Sequence, residues 1–210
     1  MTQNLGNLFI EGSSLPLEDA SDSEHVITNT GVTIDTNNQI LDNNTMTFNG
    51  SSKLQIDGHD DFDLHDHTIP WTRDFWVKAD DPGSGDWVFH IGFADYQVMA
   101  WSFYGGKHTF FCDTPFTGAN LAGWNVIYGP VVDTNWVHCA VVYSTTDQYI
   151  RMYCDGVEVG FPIKINGPSF WSGFIFDFKR YQSYLSIYLR LWNEFSFKCN
   201  FYRIKFYNFK

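Results

Sequence analysis

The densest run of possible ligands in the chain is Asp57-Gly58-His59-Asp60-Asp61-Phe62-Asp63-Leu64-His65-Asp66-His67, where carboxylates and imidazoles crowd together. Carboxylate and carbonyl oxygens suit calcium, and imidazole nitrogens suit zinc. The run has neither the Asp-x-Asp/Asn-x-Asp/Asn-Gly order of an EF-hand loop nor a His-x-x-x-His pair, so it reads first as a solvated acidic loop. Glycoside cleavage requires two carboxylates roughly 5 to 9.5 Å apart, a spacing that strand positions two residues apart supply. No Glu-x-Asp-x-x-Glu segment is present, and Asp74 and Asp177 have no acidic residue two positions away. Gly-x-Ser-x-Gly and His-Glu-x-x-His are also missing. Cys139 stands beside His138, and neighbours on a strand project to opposite faces, so the two cannot act as a nucleophile and base. His138 is expected at a strand surface and Cys139 in the core. The expectation is a protein that is not an enzyme.

Sugar binding asks for an aromatic platform with amides or carboxylates beside it to orient hydroxyls. Asp113, Asn120 and Trp124 fall in or beside one long loop, with Trp101 and Tyr104 on a preceding strand. Each ring alone reads as packing beneath that loop. As a set, the five residues are the candidate carbohydrate site.

These residues must be held by strands. Trp136-Val-His-Cys-Ala-Val-Val-Tyr143 and Tyr149-Ile-Arg-Met-Tyr-Cys154 alternate polar and apolar side chains, and Asp155-Gly156 follows at once before Val157-Glu-Val159. Val, Ile, Tyr and Trp suit a pleated surface, Ser144–Gln148 has hairpin length, and Asp-Gly supplies the positive φ of a tight turn, so a three-stranded meander is predicted. Further strands are expected at His25–Thr28, Val32–Ile34, Met46–Phe48, Lys53–Ile56, Arg73–Lys78, Trp87–Gly92, Gln97–Tyr104, His108–Cys112 and Asn125–Tyr128. No helical period appears between them. Many short strands separated by Gly, Asn and Asp point to an all-β, two-sheet antiparallel β-sandwich.

At 210 residues the chain suits one well-filled domain. Aromatic residues make up 19% of it, more than a core alone requires, so some rings are expected at an interface. No apolar run reaches membrane-span length, and Met1–Gly6 lacks the basic start and apolar block of a secretory signal. A chain made in the cytoplasm and not exported by that route is the expectation. The four cysteines, Cys112, Cys139, Cys154 and Cys199, form no Cys-x-x-Cys pair. Cys139 and Cys154 come opposite each other if their hairpin is symmetric about Thr146. Buried free thiols are the expected state, with a cross-strand bridge as the alternative.

The net charge is −11, yet residues 179–210 hold 7 Lys/Arg against Glu194 as their only acid. Basic and aromatic residues interleave from Glu194 to Lys210, as in single-strand nucleic-acid binders. The acidic remainder would repel phosphate on approach, so an acidic protein surface fits better as a partner than nucleic acid does.

The meander pattern Trp-x-His-x-Ala-Val-Val-Tyr followed by Ile-Arg-x-Tyr-x-Asp-Gly-Val-x-Val-Gly resembles the late strands of laminin-G-like domains of the concanavalin A-like lectin/glucanase superfamily. Thr45–Ile56, Asp63-Leu64 and Asp74–Lys78 are similar to earlier strands of that family, and Tyr188–Trp192 matches again near the end. The resemblance spans residues 15–193 and implies a concanavalin A-like jelly roll. It sets residues 1–14 apart as an arm and residues 194–210 as an added strand or a docking tail. It also implies calcium at the sandwich rim, with Asp19 and Asp57 as candidate ligands. The acidic opening Leu17-Glu18-Asp19-Ala20-Ser21 resembles the versions found in phage and large-virus structural proteins. That likeness implies a virion decoration, fibre or tail component whose partners are other virion proteins, copies of itself or surface glycans. A carbohydrate-binding protein proper is the alternative, and a glycoside hydrolase of the same fold comes third.

Overall fold

The alternation in Trp71-Thr-Arg-Asp-Phe-Trp-Val-Lys-Ala79 becomes a nine-residue strand whose odd-numbered residues are buried and whose even-numbered residues are partly exposed. The same period of two recurs at Lys53–Asp57 and Tyr149–Cys154 in the computed structural model, which describes residues 8–12, 14–40, 43–57, 69–79, 87–93, 96–113, 124–165, 183–188 and 199–208. Its strands are β1 (Leu8–Glu11), β2 (Ile27–Thr30), β3 (Thr33–Ile40), β4 (Asn43–Phe48), β5 (Lys53–Asp57), β6 (Trp71–Ala79), β7 (Trp87–Phe93), β8 (Tyr96–Ser102), β9 (Lys107–Asp113), β10 (Trp124–Val131), β11 (Val137–Ser144), β12 (Tyr149–Cys154), β13 (Val157–Lys164), β14 (Ser183–Tyr188) and β15 (Cys199–Asn208).

The strands form two antiparallel sheets. The first runs β13-β12-β11-β6-β15-β4-β3, with β1 added alongside β15, and the second runs β10-β9-β8-β7-β14-β5-β2. Facing side chains from both sheets make one core. Phe75 of β6 sits edge-on to Phe89 and to Trp101 at ring-centroid distances of 5.5 and 5.1 Å. Burying a ring of that size stabilises the fold by about 2 to 3 kcal/mol, and the edge-on geometry suits the ring quadrupoles.

The predicted meander is present, with Cys139 opposite Cys154 and Tyr153 opposite Glu158. Asp155 and Gly156 both take positive φ, 50° and 77°, which matches the turn to the twist of its strands. The turn is fastened twice. The Asp155 backbone N–H donates to the His138 carbonyl at 2.8 Å, and the His138 N–H donates to Asp155 Oδ1 at 2.9 Å.

Part of the expected arm, and part of the segment expected as an added strand or a docking tail, are strands of the first sheet. Leu8-Phe9-Ile10, expected as an apolar patch on an arm, forms β1, and Leu8 and Ile10 are fully buried. Residues Cys199–Asn208 of the basic-aromatic segment form β15. It pairs with β6 along one edge, and with β4 and then β1 along the other. With both edges engaged, β15 offers no row of free backbone groups to a neighbouring chain.

A chain ending at Asn193 lacks this strand and leaves the facing edges of β6, β4 and β1 open. The expected outcome is loss of the near-ultraviolet circular dichroism signal and rapid proteolysis. A truncated chain that melts as cooperatively as the full chain would show β15 to be dispensable.

Candidate functional site

The outer face of the first sheet follows from the even positions of β6 and their register. Trp76 lies opposite His138, and Asp74 lies opposite Ala140. Ala140 in turn faces Tyr153, and Tyr153 faces Glu158, so one row crosses four strands. The next row carries Thr72, Val142 and Arg151. Ala140 and Val142 are short side chains in these rows, beside the longer Trp76, Tyr153, Arg151 and Glu158.

The polar groups on this face hold one another. His138 Nε2 lies 3.4 Å from Asp74 Oδ1, and the His138 ring tilts against Trp76 at 5.0 Å. Arg151 makes a two-pronged contact with the Asp147 carboxylate, and its Nε lies 3.7 Å from Glu158. The guanidinium also sits 5.3 Å from the Tyr149 ring centre, and Lys164 Nζ sits 5.8 Å from it. The hydrogen bond from Arg151 holds the Asp147 carboxyl below the usual carboxylate range and, reciprocally, raises the guanidinium. Side chains held in this way lose little further freedom when a ligand arrives.

The described members of the predicted carbohydrate set do not all come together. Trp101 is fully buried, between Phe75 and His108, so the expectation that it faces a sugar is corrected: its ring has no open side. It lies on an inward position of β8, and the odd-even pattern that buries Phe110 opposite it buries Trp101 as well. Tyr104 is 54% exposed and rests edge-on against Phe111. It occupies the 3-10 turn between β8 and β9. Asp113 and Trp124 are in register at the opposite end of β9, six residues or roughly 20 Å away. Asn120 lies outside the described residues.

The calcium expectation fares differently at its two positions. The Asp19 carboxylate accepts four hydrogen bonds, from the backbone N–H groups of Phe9, Ser21 and His25 and from the Ser21 hydroxyl, at 2.8 to 2.9 Å. Those donors take up its lone pairs, so Asp19 fits the role of a loop organiser that ties the 19–25 segment to β1 and does not fit a metal ligand. Asp57 ends β5 as an exposed residue. The acidic loop that follows it lies outside the described residues. Among the described residues, no group of three or more His, Cys, Asp or Glu side chains comes together to hold a metal ion.

Beneath the outer face lies a buried group of polar side chains. Cys139 Sγ is 3.7 Å from His108 Nδ1. Burial lowers the His108 pKa from 6.5 to about 4, against the smaller opposing pull of Asp133 and Asp155, so the ring is neutral at pH 7. Nε2 of His108 and Nε1 of Trp101 have no hydrogen-bond partner among the described residues.

Sequence reasoning passed over Trp76, Tyr153 and Arg151. The signal was the half-exposed set on β6, β11 and β12, but alternation alone does not say which of two adjacent strands' outer rings become neighbours.

Residues 48–176 match a model of the laminin-G-type family Laminin_G_3, within the concanavalin A-like lectin/glucanases superfamily. Similar solved structures include botulinum neurotoxin type C, whose cell entry depends on interaction with two ganglioside molecules, at TM-score 0.69 and 10% identity over 95% of this chain and 47% of that one. The binding domain of botulinum neurotoxin DC in complex with rat synaptotagmin II aligns at TM-score 0.71 and 10% identity, over 97% and 48% of the two chains. The binding domain of Paraclostridial Mosquitocidal Protein 1 aligns at TM-score 0.68 and 13% identity, over 97% and 49%. The chain thus spans about half the length of each. No curated protein matches it.

Two measurements check these placements. Trp101→Ala is expected to cost about 3 to 5 kcal/mol in urea unfolding, whereas Tyr104→Ala should cost less than about 1 kcal/mol; equal costs would place Trp101 outside the core. For His108, the folded pKa lies below the unfolded one, so the unfolded chain takes up its proton first as pH falls. The neutral ring's contribution is complete above pH 6.5 and is lost as pH falls towards about 4, a loss of about 3 kcal/mol. Unfolding curves from pH 7 to 4 should show that decline in the native chain and a shallower one in His108→Gln.

Proposed function

This chain belongs to the concanavalin A-like lectin/glucanases superfamily, and from that premise we propose that it is a non-enzymatic, lectin-like binding module that takes glycans on the outer face of its first sheet. The observation that carries the reading is the row Asp74, Ala140, Tyr153 and Glu158, flanked by Trp76 and His138 on one side and Arg151 on the other. A sugar ring has an apolar C–H face and a rim of hydroxyls. Trp76 and Tyr153 supply aromatic surface for the first, and Asp74, His138, Arg151 and Glu158 supply acceptors and donors for the second. The ganglioside dependence of the similar neurotoxin supports a glycan as the ligand class.

The same row argues for binding without cleavage. Asp74 and Glu158 are separated by three strand spacings, ~14 Å, beyond the roughly 5 to 9.5 Å over which a carboxylate pair cleaves a glycoside. Asp155, the nearer acid, has one oxygen committed to the His138 N–H.

We also propose display on a virion, as a decoration, fibre or tail component beside other virion proteins or copies of itself. Its support is the likeness of the acidic Leu17–Ser21 opening to phage and large-virus structural proteins. Purified particles probed with an antibody to this chain test that placement, and absence of the chain from them would refute it.

On a glycan array, the intact protein is expected to bind saturably. Trp76→Ala and Tyr153→Ala should each weaken binding by roughly tenfold or more, the loss of about 1.4 kcal/mol of stacking. Val26→Ala, at an exposed position before β2 at the far edge of the second sheet, should leave binding unchanged. Loss of binding in Trp124→Ala instead would move the site to the β9–β10 end. No ligand across a broad panel would leave a purely structural part, and release of reducing ends from laminarin or carrageenan would overturn the non-enzymatic assignment.

A further inference from the structure

We propose that Cys139 and Cys154 form a modification site, a cross-strand disulfide latch closed by exchange with a small disulfide such as glutathione disulfide. Both thiols are free and buried, and they lie directly opposite each other on β11 and β12. The hydrogen bond from the Asp155 N–H to the His138 carbonyl makes the Cys139–Cys154 position a non-hydrogen-bonded pair. At such pairs the Cα atoms stand about 4.5 Å apart with side chains at their closest, inside the ~4.4 to 6.8 Å window that a disulfide needs. Cys112 shows the contrast: it is in register with Met99 and Asn125, neither of which carries a thiol.

The chemistry closes with two exchanges. Cys154 is 6% exposed and adjoins the Asp155-Gly156 turn, whereas Cys139 is fully buried, so Cys154 attacks first. Its sulfur bonds to one sulfur of glutathione disulfide, the S–S bond breaks, and the first glutathione leaves as a thiolate and takes the Cys154 proton. Cys139 sulfur then displaces the second glutathione from Cys154, and the Cys139 proton passes to that departing thiolate. Two protein thiols are oxidised and one glutathione disulfide is reduced to two glutathiones. Burial and the hydrogen bond with Cys154 push the Cys139 thiol well above its usual range, so exchange is slow at neutral pH and quickens as pH rises.

Closure fastens from within the same two strands that the Asp155–His138 hydrogen bonds fasten at the turn. Cys139 lies between His138 and Ala140, and Cys154 follows Tyr153. The latch therefore fixes the backbone that carries His138, Ala140 and Tyr153 on the outer face. That consequence rests on the function proposed above; the latch itself does not.

The test equilibrates the full chain with mixtures of reduced and oxidised glutathione at mildly alkaline pH, then counts thiols in denaturant and maps the peptides. Two of the four thiols should disappear, with a Cys139–Cys154 linked peptide, and the melting midpoint should rise by several degrees and fall back with dithiothreitol. Cys154→Ser should block the linked peptide and the shift together. Persistence of both thiols, including after refolding in oxidised glutathione, would overturn the proposal. So would glutathione adducts alone, or linkage through Cys112 or Cys199. The wild-type peptide map decides the matter even if a serine variant fails to fold. A latch that closes in a protein binding no glycan would count against the proposed function and leave the disulfide standing.

Discussion

The structure depends on the two-residue period of β6, held in register by β11 on one edge and β15 on the other. Inward positions of that strand put Phe75 against Phe89 and Trp101, while outward positions put Asp74 and Trp76 beside His138. A slip of one residue would exchange the two sets, so the core that specifies the register also specifies the outer face. Stability and recognition are one constraint here, expressed on opposite sides of one sheet.

The two sides differ in how they settle polar groups. On the outer face, partly screened by water, His138 with Asp74 and Arg151 with Asp147 and Glu158 contribute little to stability. Their effect is to hold side chains in place. Inside, burial is decisive: it keeps His108 neutral and pushes the Cys112 thiol up to about 12. Cys139 sits where the two regimes meet, a buried thiol one residue from the outward-facing His138.

Asp19 shows how a residue type can mislead when its surroundings are unknown. The family resemblance implied a cation ligand at this carboxylate. Folded, it faces three backbone N–H groups and a hydroxyl, which do for it what a metal would otherwise do. One of those donors, Phe9, lies ten residues upstream on β1, and no local pattern announces that contact.

By itself the sequence determined the all-β class, the meander, the Asp-Gly turn and the outward and inward sense of His138 and Cys139, and it set Cys139 opposite Cys154 on the condition of a symmetric hairpin. All of these follow from side-chain alternation and from turns a few residues long, which are local. Only the tertiary structure decided that residues Leu8–Glu11 and Cys199–Asn208 pair with each other inside the first sheet, since partners so far apart in the chain leave no mark in any short window. It also decided that Trp101 is core, that Tyr104 and Trp124 belong to opposite ends of the second sheet, and that Trp76, Ala140 and Tyr153 share a surface. Adjacency across strands is set by register and sheet order, which the packing of both faces selects together.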